Sequence, residues 1–349
     1  MRSTKGFLLI YVICSAFIGC KTDVDVYEKY HKSVVLLYHE YVYKINVNNQ
    51  VWYISQDPTT KQYAWHPDIQ KLQFKPQTTF GTGFFIDNDG HIATNKHVAY
   101  NWFDSFDATY RGFFEKWLTD NKVYCANQRD STNRLITLWT NYYNTLYEYG
   151  ARDSVAQTIN LLKQDLDKFS RDETYWTSLI GYMPQAKFEV YTIRMGYALN
   201  GSTINTYDDF KPCTVDKISN SDQIDLAIIR ANDGRTPAES GDFVDISTIN
   251  PNSNIKVGDE VSMIGFNLGP QLAISKNGLQ VQKTDGKISQ QPDGDRVLYS
   301  IPALHGSSGS PIFNKEGELV AINFAGLDFT QSFNYGVLSK HLKLLSGSK

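Results

Sequence analysis

Gly306-Ser307-Ser308-Gly309-Ser310-Pro311 separates the strand-like stretch 296–301 from the apolar run 318–325. Glycines on either side of a serine let the backbone turn tightly and aim neighbouring N–H groups at one point. Acyl transfer needs that arrangement, with an oxyanion held beside an activated nucleophile. Ser308 is therefore the candidate nucleophile. By itself such a run also reads as an ordinary Gly/Ser turn, so its meaning depends on what else the chain carries.

Two further segments fit the same chemistry. Upstream, Gly81-Thr82-Gly83-Phe84-Phe85-Ile86 leads through a turn at Asp87-Asn88-Asp89-Gly90 into His91-Ile92-Ala93-Thr94-Asn95-Lys96-His97-Val98. Between them stands Gln223-Ile224-Asp225-Leu226-Ala227-Ile228-Ile229-Arg230, an apolar strand with an aspartate at its start. A carboxylate so placed is poorly solvated and needs a partner. A serine hydroxyl is a weak nucleophile at neutral pH and needs a base within hydrogen-bond reach. His97 fits that role, because its imidazole can take a proton and return it to a leaving amine.

Over about residues 78–100 and 187–345, these motifs and their order resemble the trypsin-like serine peptidases, most closely the bacterial HtrA/DegP-like branch. The resemblance implies a mainly β chain of two six-stranded antiparallel β-barrels, with the catalytic triad His97, Asp225 and Ser308. It further implies an oxyanion hole from the Gly306 and Ser308 N–H groups, and a substrate pocket walled by Ala303, Leu304, Asn323, Phe324 and Ala325. No acidic residue stands at the base of that pocket, so a small or medium apolar side chain is expected before the scissile bond. His305 could touch a substrate carboxylate or be a plain loop histidine. The PDZ domains usual in that branch are not expected, since little sequence follows the last strand. Glycine turns at 277–278, 285–286, 293–294 and 316–317 punctuate short strands, as an antiparallel barrel requires.

Residues 101–186 break the family pattern and separate His97 from Asp225 by 128 positions. Phe103, Phe106, Tyr110, Phe113 and Trp117 recur at spacings of three and four. So do Leu135, Leu138, Trp139, Tyr142, Leu146 and Tyr149, and after Gly150 Val155, Ile159, Leu162, Leu166 and Phe169. This periodicity predicts an α-helical insertion in the first barrel, with three amphipathic helices and a shorter fourth near 174–183. The insertion is either a helical subdomain packed on the barrel wall, or a lid or docking surface beside the cleft. The expected organisation is a leader at 1–20, an N-terminal extension and the start of the first barrel at 21–100, the insertion at 101–186, the rest of the first barrel at 187–235, and the second barrel with a C-terminal helix at 236–349. Residues 55–77, with Pro58, Pro67 and Pro76, read as loop.

The 34 basic against 37 acidic side chains give a net charge of −3 with no long basic block, so nucleic acid is not an expected partner. Arg2 and Lys5 precede an apolar run, 6–18, too short for a membrane-spanning helix but suited to a signal peptide. Its end, Ala16-Phe17-Ile18-Gly19-Cys20, resembles a bacterial lipobox, which implies lipidation of Cys20 and an extracytoplasmic, membrane-anchored protein. The remaining Cys125 and Cys213 could form one disulfide or stay as isolated buried thiols. No metal and no cofactor is required. Asp87-Asn88-Asp89-Gly90 matches the opening of a calcium loop, but Val98 stands where the bidentate Glu belongs. The main reading is a lipid-anchored serine endopeptidase acting on protein or peptide substrates. The alternative is a catalytically silent or switchable peptidase-like binding module, with partner recognition by the helical insertion. An esterase is disfavoured, since its Gly-x-Ser-x-Gly elbow in a Ser-Asp-His order is absent. The oligomeric state is not legible.

Overall fold

A computed structural model describes residues 24–250, 255–326 and 333–347. The leader and Cys20 lie outside the described residues. The chain enters with α1 (Val26–Tyr30), capped by the Asp25 carboxylate, and passes into β1 (Val34–Val47). β1 alternates few polar residues among Val, Leu and Tyr because both of its faces are covered. Asn48 and Asn49 both take positive φ and turn the chain into β2 (Gln50–Gln56). That is the backbone a two-residue hairpin demands.

Against the loop expected at 55–77, Tyr63-Ala64-Trp65-His66 forms β3 (Tyr63–His66) beside β2. The reason is tertiary: Trp65 is buried against Phe114 and Trp117 of the insertion, and this packing holds four residues extended. β4 (Gln77–Phe85) and β5 (His91–Thr94) form the hairpin around Asp87–Gly90. The Asp87 carboxylate accepts from the Asp89 and His91 N–H groups and contacts the His91 ring, which makes the segment a capped turn. The short α2 (Lys96–Ala99) follows.

The insertion is two long helices, α3 (Asp104–Thr145) and α4 (Tyr149–Tyr182), where periodicity predicts four. Residues 118–134 contain neither Gly nor Pro, so the first two apolar groups, from Phe106 to Tyr142, lie on one continuous helix, with Phe103 and Leu146 flanking it and Tyr149 opening α4. Gly150 sits in the first turn of α4, where it interrupts nothing, and the segment near 174–183 simply continues α4. At 1.5 Å per residue α3 is about 63 Å long. The hairpin meets the barrel at its base, while further out Cys125, Thr132 and Val155 are buried along its length. Tyr110, Phe114, Leu118, Leu179 and Met183 pack with Tyr43, Trp52, Ile54, Trp65 and Phe188 of the first barrel's strands. The far end stays in solvent, with Tyr147 99% and Tyr149 82% exposed. Among the described residues the apolar cluster at the hairpin's base is completed by strands of the first barrel.

β6 (Lys187–Leu199), β7 (Lys211–Ile218) and β8 (Ala227–Ala231) complete that barrel. It closes in the ring β1-β4-β5-β8-β7-β6, sealed by β1 against β6, with β2 and β3 as an outward extension. The insertion thus lies within it, between β5 and β6. The second barrel starts at β9 (Glu260–Gly265). After α5 (Pro270–Ala273) and the small hairpin β10 (Ile274–Ser275) with β11 (Gly278–Leu279) come β12 (Gln282–Gln290) and β13 (Arg296–Tyr299). β14 (Pro311–Asn314), β15 (Leu319–Gly326) and β16 (Asn334–Leu338) finish it, and α6 (Ser339–Ser346) follows. Six strands close in the order β12-β13-β16-β15-β14-β9. The fold is therefore two closed six-stranded antiparallel barrels. A shared apolar cluster joins them, including Leu36, Phe84, Phe266, Phe313 and Ile322, with Tyr30 of α1 stacked on Phe313 at 4.8 Å.

Cys125 and Cys213 are both buried free thiols, on α3 and on β7, so the disulfide alternative fails and the isolated-thiol alternative holds. Burial pushes the Cys213 thiol up to about 12 and raises Cys125 as well. Among the described residues no helix is long and apolar enough to cross a membrane.

Candidate active site

The site forms where β5 ends, β8 begins and the 303–310 loop of the second barrel meets the first. Asn95 ends the strand in extended conformation, and its buried side chain donates to the Asp225 carbonyl at 2.8 Å. That bond ties the two strand ends together. The His97 N–H then donates to Asp225 Oδ1 at 2.9 Å, while His97 Nδ1 lies 2.5 Å from Asp225 Oδ2. One carboxylate thus holds both the backbone and the ring of the histidine. Asp225 keeps 9% of its side chain exposed against 28% for His97, so the carboxylate is enclosed and the ring reaches the surface. The Asp225 contact places the proton on Nδ1 and leaves Nε2 as the free base.

Ser308 sits in the loop between β13 and β14, half-buried. Its carbonyl accepts from the Thr82 N–H at 2.7 Å. Gly309 beside it has φ +90°, and a Cβ there would meet Thr82 O at 2.0 Å and Thr94 Oγ1 at 2.5 Å. The serine loop therefore lies directly on β4 and on the end of β5, three residues before His97. Among the described residues the Ser308 hydroxyl and His97 Nε2 make no hydrogen bond. Catalytic hydrogen bonds are often long without substrate and tighten when it binds. Gly306 has φ +95°, and a Cβ there would strike Gly269 N at 2.4 Å and Phe266 O at 2.6 Å, so only glycine fits. Among the described residues the Gly306 and Ser308 N–H groups donate to no protein acceptor, which leaves both available to a developing oxyanion.

Thr82, the middle residue of the Gly-Thr-Gly strand, is a determinant that sequence reading quoted without assigning a role. Fully buried, it donates from Oγ1 to the Gly306 carbonyl at 2.9 Å and accepts from the Phe266 N–H at 3.0 Å. Its own carbonyl accepts from Thr94 Oγ1 at 2.8 Å. It thereby sews the serine loop to the first barrel at both ends.

The expected pocket residues divide into two groups. Ala303, Leu304 and Phe324 are half-buried around the loop. Ala325 continues β15. Asn323 is 2% exposed and its side chain is fully engaged: Nδ2 donates to Ser307 O and Oγ, and Oδ1 accepts from the Tyr299 hydroxyl at 2.6 Å. It braces the serine loop from beneath. On the other flank of Gly306 a cavity of about 690 Å³ is lined by Phe80, Ile204, Tyr207, Phe210, Leu268 and His305. His305 is exposed at its rim. The 204–210 segment carries no motif, and only folding brings it to this wall. Among the described residues no cluster of His, Cys, Asp and Glu could hold a metal ion.

The trypsin-like peptidase domain family matches residues 195–322. Exfoliative toxin A of Staphylococcus aureus is 26% identical over 155 residues, covering 43% of this chain and 52% of the toxin. A glutamyl endopeptidase of Staphylococcus epidermidis is 26% identical over 104 residues, 30% of this chain and 34% of that protein. The chain thus spans about half or less of the length of these relatives. Among solved structures, the serine endoprotease from Yersinia pestis matches with a TM-score of 0.41 at 13% identity, covering 92% of this chain and 64% of that one.

Proposed function

We propose that the chain is a trypsin-like serine endopeptidase working through His97, Asp225 and Ser308, a reading that its similarity to that family over residues 195–322 supports. The observation that carries this reading is the grip of Asp225 on both the N–H and the ring of His97, beside a loop whose glycine geometry leaves two N–H groups free. In this mechanism Ser308 Oγ attacks the scissile carbonyl while His97 Nε2 takes its proton. Asp225 fixes the tautomer and stabilises the imidazolium. The Gly306 and Ser308 N–H groups hold the tetrahedral oxyanion, where one such donor is worth about 3 kcal/mol. Collapse expels the amine, which takes the proton from His97 and leaves an acyl-enzyme. Water, deprotonated by His97, then attacks the ester and returns Ser308.

The named glutamyl endopeptidase prompts the question of an acidic preference here. Ala303, Leu304 and Phe324 offer no cation to a glutamate, and His305 lines the separate cavity with Phe80 and Tyr207, so a small or medium apolar residue before the scissile bond is the preference proposed. We also propose that lipidation at Cys20 anchors the enzyme to a membrane of a bacterial cell envelope; mass spectrometry of the mature N-terminus tests this. The central experiment is fluorophosphonate labelling of the purified chain against Ser308→Ala. Labelling that disappears in the variant supports an activated serine. A folded wild type that resists the probe refutes it and favours the silent or switchable binding module.

A further inference from the structure

The pair that holds the active-site segments together is doubled by a second one that reaches the helical insertion. Lys96, adjacent to His97, is buried, and its Nζ donates to Asp222 Oδ1 at 2.9 Å. Asp222 stands three residues before Asp225. The segments that carry the histidine and the aspartate are thus cross-linked twice, by His97–Asp225 and by Lys96–Asp222. The second oxygen of Asp222 accepts from the Asp104 N–H at 2.6 Å. Asp104 is the first residue of α3, and Phe103 before it supplies no side-chain cap. A carboxylate from the β7–β8 connection therefore caps a helix remote in sequence, where its charge also meets the positive end of the helix dipole. The Phe103 ring lies 5.0 Å from Lys96 Nζ and closes the cluster.

We propose that Lys96 and Asp222 are positioning residues for the His97–Asp225 pair, and that the helical hairpin is rooted to the catalytic geometry through the Asp222–Asp104 bond. The proposal rests on the peptidase reading of that pair. A single carboxylate serves both the helix end and the buried lysine, so a displacement of the hairpin base displaces Asp222 and, through Lys96, the backbone at His97. Misplacement of a catalytic group by about 1 Å can cost on the order of 100-fold in rate.

The test uses the full chain in mild detergent, four variants and one further variant to assign the histidine signal. Asp104→Pro removes the N–H that Asp222 accepts, together with the Asp104 carboxylate, at a helix position where proline is well tolerated. Phe103 already has the extended backbone that a following proline prefers. Asp222→Asn and Lys96→Met break the buried pair. Two readouts are taken: the rate of fluorophosphonate labelling, and the downfield NMR signal of the His97 Nδ1–H proton, assigned with His97→Gln. We expect Asp222→Asn to slow labelling about 10- to 100-fold and Asp104→Pro about 3- to 10-fold, with helix content by circular dichroism unchanged. The His97 signal should move or broaden in both. Lys96→Arg should recover most of what Lys96→Met loses. Variants that label at the wild-type rate with an unmoved signal overturn the proposal. Slowing in Asp222→Asn but not in Asp104→Pro overturns the hairpin connection. Should the wild type itself resist the probe, the peptidase reading fails separately, and the His97 signal still decides whether Asp222 positions the ring.

Discussion

Replacing Thr82 by valine keeps the shape of a buried β-branched side chain and removes one hydroxyl. That hydroxyl donates to the Gly306 carbonyl and accepts from the Phe266 N–H, and Thr82 and Phe266 are both fully buried. Two backbone groups are then stranded without water, each at a cost of about 1–3 kcal/mol. The expected loss is about 2–6 kcal/mol, large against a typical total stability of about 5–15 kcal/mol. Urea unfolding of wild type, Thr82→Val and Thr82→Ser measures it, with the serine variant expected near wild type because it keeps the hydroxyl. The same change frees the serine loop at Gly306, so labelling of Ser308 should slow more than the folded fraction accounts for. A valine variant within about 0.5 kcal/mol of wild type, with unchanged labelling, would refute the reasoning, since such values are ordinary for surface changes.

Other consequences are as direct. Gly309→Ala places a Cβ 2.0 Å from Thr82 O at a φ of +90° and should prevent a stable fold, read as loss of a cooperative thermal transition. Asp225→Asn should cut labelling by about 10⁴-fold while the chain stays folded, because the imidazole loses its tautomer. Buried His39 contacts the Val98 carbonyl through Nδ1 and Thr192 Oγ1 through Nε2, and burial lowers its pKa from 6.5 to about 4. The unfolded chain therefore binds a proton first as the pH falls below about 6.5, and stability drops by about 3 kcal/mol by pH 4. In His39→Gln the slope of stability against pH over that window should flatten. Cys125 and Cys213 should resist a thiol reagent in the native protein and both react in denaturant; a native disulfide would leave them silent there.

Where chemistry is local, the chain announces it. Asp87 and Gly90 specify a hairpin turn, the two asparagines at 48 and 49 specify another, and glycines at 306 and 309 specify positive φ around a serine. His97, Asp225 and the strands next to them are legible because a carboxylate at the head of an apolar strand is poorly solvated and needs a partner. Helical periodicity likewise marks the insertion, since it depends on neighbours three and four residues apart. The number of helices was not legible: the turn at 146–148 has neither Gly nor Pro, while Gly150 only looks like a break. β3 escaped notice because Trp65 is held extended by α3, not by its own neighbours. Thr82, Asn323, Lys96 and Asp222 owe their roles to partners up to 224 positions away. The sequence by itself, through its motifs, the family resemblance they carry and its helical periodicity, pointed to two barrels, a helical insertion and the candidate triad. Only the tertiary structure decided how the serine loop is sewn to the first barrel and how the insertion is tied to His97, because buried hydrogen bonds between distant segments leave no periodic trace.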